Sequence, residues 1–251
     1  MGNGFMKAGA VEFRLRFFIH LVIFVLGFWA PWDLWLHLDG AGPNAHVWGL
    51  LSVALSKSGA MGIATAFNVV LIAGIVFAVK GAWWRTWGSA YLGVGVMRDR
   101  EFNGDRVMAD GPYRHVRNPL YLGTFIHTLA LALLMPASGA IFTIVMIAVV
   151  QVRLIFGEEA FLTAKLGAAY TAYCAAVPRL MPSLRAKVAP AGVRPQWLQA
   201  VVAEIYMWGV AGSFAVAGWW YNAHLLTQCV LVSLGVSIVA RAFPMKERPA
   251  A

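Results

Sequence analysis

Long apolar runs separated by short basic segments restrict this chain more than any other feature. Six runs stand out, at 17–36, 60–79, 119–135, 139–156, 205–221 and 225–240. Each approaches the roughly 20 residues that a helix needs to cross a hydrocarbon core at about 1.5 Å per residue, the middle pair being short. Hydrophobic residues make up 60% of the chain and charged residues 12%, against about 25% charged in an ordinary soluble domain. A water-soluble fold of 251 residues has too little interior to hide that much apolar surface. Lipid is the expected solvent, and the expected class is an all-α, polytopic transmembrane bundle of about six spans.

Charge orients such a bundle. The formal net charge is +9, but the basic residues lie between apolar runs and form no aromatic-interleaved patch, so nucleic acid is not an expected partner. With six spans, every Lys and Arg except Lys57 falls on one side. The positive-inside rule makes that side cytoplasmic, together with both termini and the segments 81–118 and 157–199. An integral membrane protein is therefore expected, with a bacterial inner membrane as the expected location. The first run continues through Trp32 and Trp35 without a small-residue cleavage site, which reads as a retained helix. On the opposite side, segment 37–59 holds Trp48 and predicts a short interfacial helix. Cys174 and Cys229 have no metal or redox spacing, and no metal site is expected.

The two cytoplasmic segments hold the chemistry. In the first, Gly111-Pro112 is a turn, and Asn118-Pro119 starts the third span, with proline at the first helical position. A helix N-terminus there, with Arg114 and Arg117 beside it, suits an anionic group such as a ligand carboxylate. Tyr113 and Tyr121 bracket it with aromatic faces on which a cation or a base could rest. The alternative reading is an interfacial anchor of Arg and Tyr at a span end. In the second segment, Gly157-Glu158-Glu159 lies directly below the fourth span, with Arg153 one turn earlier. Paired carboxylates at a membrane boundary are expensive unless something uses them. They would accept hydrogen bonds from a ligand, pair with Arg153 or Arg117, or form a solvated helix start. Beyond them, Phe161, Leu162, Leu166, Tyr170 and Tyr173 recur at helical spacing and predict an amphipathic helix on the membrane surface.

The run Gly-Pro-Tyr-Arg-His-Val-Arg-Asn-Pro-Leu-Tyr-Leu-Gly at 111–123 resembles the signature of the isoprenylcysteine carboxyl methyltransferase and phospholipid methyltransferase superfamily. So does Glu158-Glu159 followed by Leu162, Gly167, Tyr170, Tyr173 and Pro178-Arg179-Leu180-Met181-Pro182. The resemblance covers roughly residues 83–183. It divides the chain into N-terminal helices (1–82), a methyltransferase core (83–183) and a linker with a C-terminal hairpin (184–251). It implies a cofactor, S-adenosyl-L-methionine, held between transmembrane helices and a cytoplasmic cap without a Rossmann sheet. The implied cofactor contacts are Tyr113, Asn118, Tyr121 and Glu158, with Arg117 and Glu159 beside them, and a lipid substrate near Arg153. Asn118 stands where prenylcysteine enzymes usually have His, whereas phospholipid N-methyltransferases have Asn-Pro. Gly93-Val94-Gly95 is similar to a Gly-x-Gly element of the phospholipid enzymes.

The implied acceptor is a lipophilic or lipid molecule. A carboxylate or thiolate needs no base, whereas an amine or hydroxyl must lose a proton. His115, inside the signature, reads as water-facing. His127 lies in the third span with Tyr121, Thr124 and Thr128, a polar stripe expected to face the bundle interior, where it would line a substrate cleft or bond neighbouring helices. Asn68 and Glu204 read as structural. Two other classes remain open: an NADPH-dependent membrane reductase of the steroid or enone type, and a non-enzymatic membrane subunit.

Overall fold

The computed structural model describes residues 7–30, 35, 45–92 and 107–242, and all regular structure among them is helical. The short α1 (Ala10–Arg14) leads into α2 (Arg16–Trp29), and α3 (Val47–Lys57) precedes the long α4 (Ile63–Leu92). A 3-10 turn, Gly111–Arg114, precedes α5 (Pro119–Ala132); α6 (Ala137–Leu166) and α7 (Ala168–Ala176) follow. The chain ends in α8 (Trp197–Ala203), α9 (Ile205–Ala217) and α10 (Ala223–Ala242).

Small residues set the two closest helix crossings. A Cβ on Gly81 of α4 would come within 2.8 Å of the Gly123 carbonyl of α5, so these backbones are in direct contact. Gly27 of α2 meets Gly139 of α6 in the same way. Such small-residue contacts are how helices approach where lipid offers no hydrophobic driving force. The main core fills the angle between α4, α5 and α9 with Leu71, Leu131, Leu134, Met135 and Phe214, all almost completely buried. Trp48 of α3 is also buried, and its indole N–H donates to the Phe67 carbonyl at 3.1 Å. The helix expected in segment 37–59 is therefore present, but its tryptophan packs inward and is not an interfacial anchor.

Three helices, α4, α6 and α10, are long and apolar enough to cross a membrane, or four if the bent pair α8–α9 forms one span. At 30 residues, α4 and α6 each reach about 45 Å, longer than a hydrocarbon core of about 30 Å. By contrast α2 and α5, at 14 residues each, span about 21 Å. Each of the six apolar runs thus contains a helix among the described residues, yet the helices are unequal in length. The second run was expected to end at residue 79, before the charges of Lys80 and Arg85, but α4 continues to Leu92. Arg85 stays in the bundle because Glu204 neutralises it: Nε and Nη2 donate to the carboxylate at 2.7 and 2.9 Å. Arg85 Nη1 also donates to Thr124 of α5 at 2.8 Å, and Ser89 donates to Glu204 at 2.9 Å. Glu204 sits at the 68° bend between α8 and α9, so one ion pair joins α4, α5 and the C-terminal helices. Asn68, expected to be structural, accepts a hydrogen bond from the Tyr221 hydroxyl.

This pair should behave as a buried one. Arg85→Met leaves Glu204 charged and almost fully enclosed, and should cost about 3–5 kcal/mol. The double variant Arg85→Met/Glu204→Leu should recover most of that loss. Thermal unfolding in detergent of the single and double variants measures it; strict additivity would contradict the pairing.

Candidate functional site

The site is built where α5 begins and α6 emerges from the apolar zone. Pro119 supplies the first turn of α5 and Asn118 is its N-cap. Helix α6 does not stop at the apolar boundary near Phe156 but runs on to Leu166, so Glu158 and Glu159 lie mid-helix and do not form a helix start. Adjacent residues on a helix point about 100° apart, and the two carboxylates accordingly enter different surroundings.

Glu159 enters an internal ion network. Arg117 Nη1 lies 3.0 Å from its carboxylate, Arg179 donates from Nη2 at 2.9 Å and from Nε at 3.0 Å, and the Asn118 amide donates at 3.3 Å. Asn118 Nδ2 also donates to the Arg179 carbonyl at 3.2 Å, and the Arg117 N–H to the Pro178 carbonyl at 2.9 Å. The expected anion before the α5 N-terminus is thus the protein's own Glu159. Arg117, Asn118 and Glu159 hold one another and tie the signature loop to α6 and to the 177–182 segment.

Glu158 faces the other way. Tyr121 donates a hydrogen bond to its carboxylate at 3.2 Å. Tyr113 is buried, and its hydroxyl has no hydrogen-bond partner among the described residues, although Glu158 acts on it electrostatically. Burial first, and then the Glu158 charge, push the Tyr113 phenol well above its ordinary value, so it stays protonated and able to donate. The structure therefore brings together Tyr113, Tyr121 and Glu158. Arg117 Nε, buried with no hydrogen-bond partner among the described residues, is a further donor nearby in the same loop. Gly93 and Gly95 lie outside the described residues.

The two residues expected to be catalytic are elsewhere. Arg153 of α6 donates to both oxygens of Glu12 at 2.9 Å, and its carbonyl accepts from the Ala8 N–H at 2.9 Å. It anchors the N-terminal segment, because five residues before Glu158 is a different helix face. His127 is six residues beyond Tyr121, again on another face. It is almost fully buried against α4 and α9, with its ring 5.9 Å from that of Tyr206. Its ring nitrogens make no well-formed hydrogen bond; the Ala78 carbonyl is near enough to interact but lacks the geometry. The stripe itself does face inward, with Thr128 back-bonded to Thr124.

Other expectations on the cap also change. His115 is only partly exposed: Nδ1 lies 2.8 Å from the Ser183 carbonyl and its ring 5.9 Å from Trp87. The amphipathic helix is real but broken at Gly167. Its apolar face turns onto the signature loop. Tyr170 and Tyr173 pack with Val177, Leu162 and Leu166, and the Tyr173 hydroxyl donates to the Tyr113 carbonyl at 2.8 Å.

Two residues of the site were given no role there by the sequence reading: Arg179 entered only as part of the resembling block, and Arg16 only as a topology signal. Arg179 closes the Glu159 network. Arg16 of α2 is buried, stacks 4.0 Å over Phe13, and lies within electrostatic reach of both Glu158 and Tyr121. The available signal for Arg16 was its place at the very start of an apolar run, where α2 carries it into the bundle.

Fold and site together define a helical membrane protein with a carboxylate–tyrosine cluster at one end of its bundle. Residues 69–169 match the family model described as phospholipid methyltransferase. This stretch runs from within α4 to the start of α7, and its likeness is to a methyltransferase family. It contains Tyr113, Tyr121 and both carboxylates, whereas Arg16, Arg179 and Glu204 lie outside it. No curated protein and no solved structure gives a significant match to the chain.

Glu159→Gln removes the charge shared by Arg117 and Arg179 and should lower stability by about 3–5 kcal/mol. Glu158→Gln, whose carboxylate receives a single tyrosine hydrogen bond, should unfold close to the parent. Melting temperatures without ligand measure the difference; equal losses would mean that the two carboxylates share one role.

Proposed function

We propose that this chain transfers a methyl group from S-adenosyl-L-methionine to a lipophilic acceptor at the cytoplasmic face of a bacterial inner membrane. The observation that carries the proposal is the pairing of Glu158 with Tyr121 beside the Tyr113 hydroxyl, which has no hydrogen-bond partner among the described residues, inside the stretch that matches a methyltransferase family.

The residues present fit this cofactor. Its sulfonium and ammonium are cationic and its carboxylate anionic. Glu158 offers negative charge, Tyr113 and Tyr121 offer aromatic faces to a cation, and Arg117 Nε and the Tyr113 hydroxyl are buried donors in need of an acceptor. When bound, the cofactor supplies a methyl group already activated by its sulfonium. What the chain must add is orientation of an acceptor for in-line attack and exclusion of water. Tyr121, with its hydroxyl on Glu158, fixes the direction of that carboxylate. Tyr173, bonded to the Tyr113 carbonyl, covers the loop from the water side. The Arg117–Glu159–Arg179 network keeps the loop from moving when a ligand enters. Arg153 and His127 have structural work instead, anchoring the N-terminus and filling the α4–α5–α9 contact, and no proton transfer is assigned to either. The lipophilic character of the acceptor is supported by the position of the cluster at the end of apolar helices, and the cytoplasmic orientation by the one-sided distribution of Lys and Arg.

Incubating the purified full-length protein with methyl-labelled S-adenosyl-L-methionine and a membrane lipid extract should yield a labelled lipid. Glu158→Gln should weaken cofactor binding by about 1.5–3 kcal/mol, roughly ten- to a hundredfold. Glu159→Gln, assayed below its melting temperature, should keep most of the affinity. Parent-like affinity in Glu158→Gln would contradict the assignment.

A further inference from the structure

Between α7 and α8 the chain crosses the cap as an extended segment that the methyltransfer reading does not use. It presents large apolar side chains outward: Met181 is 82% exposed and Leu184 100% exposed. These do not belong to a loose loop. Ser183 N–H donates to the His115 carbonyl at 2.9 Å, Lys187 N–H to the Arg114 carbonyl at 2.8 Å, and Arg114 Nε to the Val188 carbonyl at 2.9 Å. The backbone on both sides of Leu184 is thus fixed to the signature loop, and the apolar side chain is held out rather than left out. A leucine held fully exposed on a rigid support costs free energy in water and gains it in lipid.

The height of this segment is given by the aromatic side chains next to it. Trp83 of α4 stacks on Trp197 of α8 at 6.0 Å, and Trp87 lies 5.9 Å from His115, whose carbonyl holds Ser183. Tryptophans cluster at the headgroup level of a bilayer. Helix α8 starts at the same level, with Gln196 N–H on the Ala90 carbonyl at 2.7 Å. It turns 68° from α9, as a helix lying along the surface would, and its Leu198 is 77% exposed. Charge completes the picture. Arg185, Lys187 and Arg194 are exposed, and the chain has no Asp or Glu between Glu159 and Glu204. Basic residues flanking apolar side chains at headgroup level match an anionic lipid surface, with about 1 kcal/mol per Lys or Arg near it.

We propose that the segment 181–187 and helix α8 insert into the headgroup region of an anionic leaflet, with Met181, Leu184 and Leu198 as the apolar wedge and Arg185, Lys187 and Arg194 on the lipid phosphates. The segment is bonded to Arg114 and His115 of the signature loop, so the lipid surface braces the loop that carries Tyr113. This proposal rests on the chain being a membrane protein and not on the reaction it catalyses.

The test uses full-length protein with Cys174 and Cys229 replaced by Ser and a Leu184→Cys substitution bearing an environment-sensitive fluorophore. The protein is placed in nanodiscs of phosphatidylcholine alone or mixed with phosphatidylglycerol. Leu184 is fully exposed, so labelling should leave folding intact, and Leu198→Cys serves as a second reporter. The emission should shift to the blue and be quenched by acyl-brominated lipid, more strongly with phosphatidylglycerol, and salt should reduce the difference. Arg185→Gln/Lys187→Gln/Arg194→Gln should abolish the anionic preference without changing the melting temperature. Water-like emission in both bilayers would overturn the proposal and leave the patch to a soluble acidic partner. Equal burial in both would overturn its commitment to anionic lipid. A failure of methyl transfer would leave both readouts unchanged, which separates this proposal from the proposed reaction.

Discussion

The carboxylate of Glu159 receives two guanidinium groups and an amide from two separate parts of the chain. Removing a carboxylate from water at a membrane boundary is costly, and only a geometry with several charge-assisted donors offsets it. That requirement fixes the relative position of the signature loop, α6 and the segment after α7. Once Glu159 is held, the helix phase leaves Glu158 about 100° away, where Tyr121 and Tyr113 meet it. The structural carboxylate is therefore what aims the one available to a ligand, and neither could change places with the other without turning α6.

A second buried pair performs the corresponding task for the C-terminal helices. Arg85 and Glu204 exchange two hydrogen bonds inside the bundle, and Thr124 and Ser89 complete the network. Glu204 lies outside the stretch that matches the phospholipid methyltransferase family, and Arg85 inside it. The C-terminal helices are thus built into the same packed body, as Phe214 against Gly74 and Gly218 against Leu71 also indicate. With Arg16 arriving from α2, residues on both sides of the matched stretch reach the neighbourhood of its cluster.

Much of this was legible in the sequence because its signals are local. Apolar runs gave helices, Asn118-Pro119 gave the start of α5, and the two polar blocks marked the segments that meet. The pairing of Glu159 with Arg117 was among the expected outcomes; Arg179 joins it there, and Arg153, the other expected partner, pairs with Glu12. What was not legible depends on helix phase and on distant partners. Arg153 and His127 lie close in sequence to Glu158 and Tyr121 but on other faces. The continuation of α4 through Arg85 depends on a carboxylate 119 positions away. The unbroken course of α6 through Glu158 and Glu159 depends on Arg179, which shares their resembling block but was not read as their partner. Trp48 and His115 were read from their usual surface habits, and in both cases a backbone carbonyl within reach drew the ring nitrogen inward.

The central claim is that the Glu158–Tyr121–Tyr113 cluster holds a methionine-derived cationic cofactor. Calorimetric titration of the detergent-solubilised protein with S-adenosyl-L-methionine, with its demethylated product, and with a reduced nicotinamide dinucleotide addresses it most directly. The account predicts saturable binding of both methionine derivatives, weakened in Tyr113→Phe, and no heat from the dinucleotide. Tight dinucleotide binding with no response to either methionine derivative would contradict it.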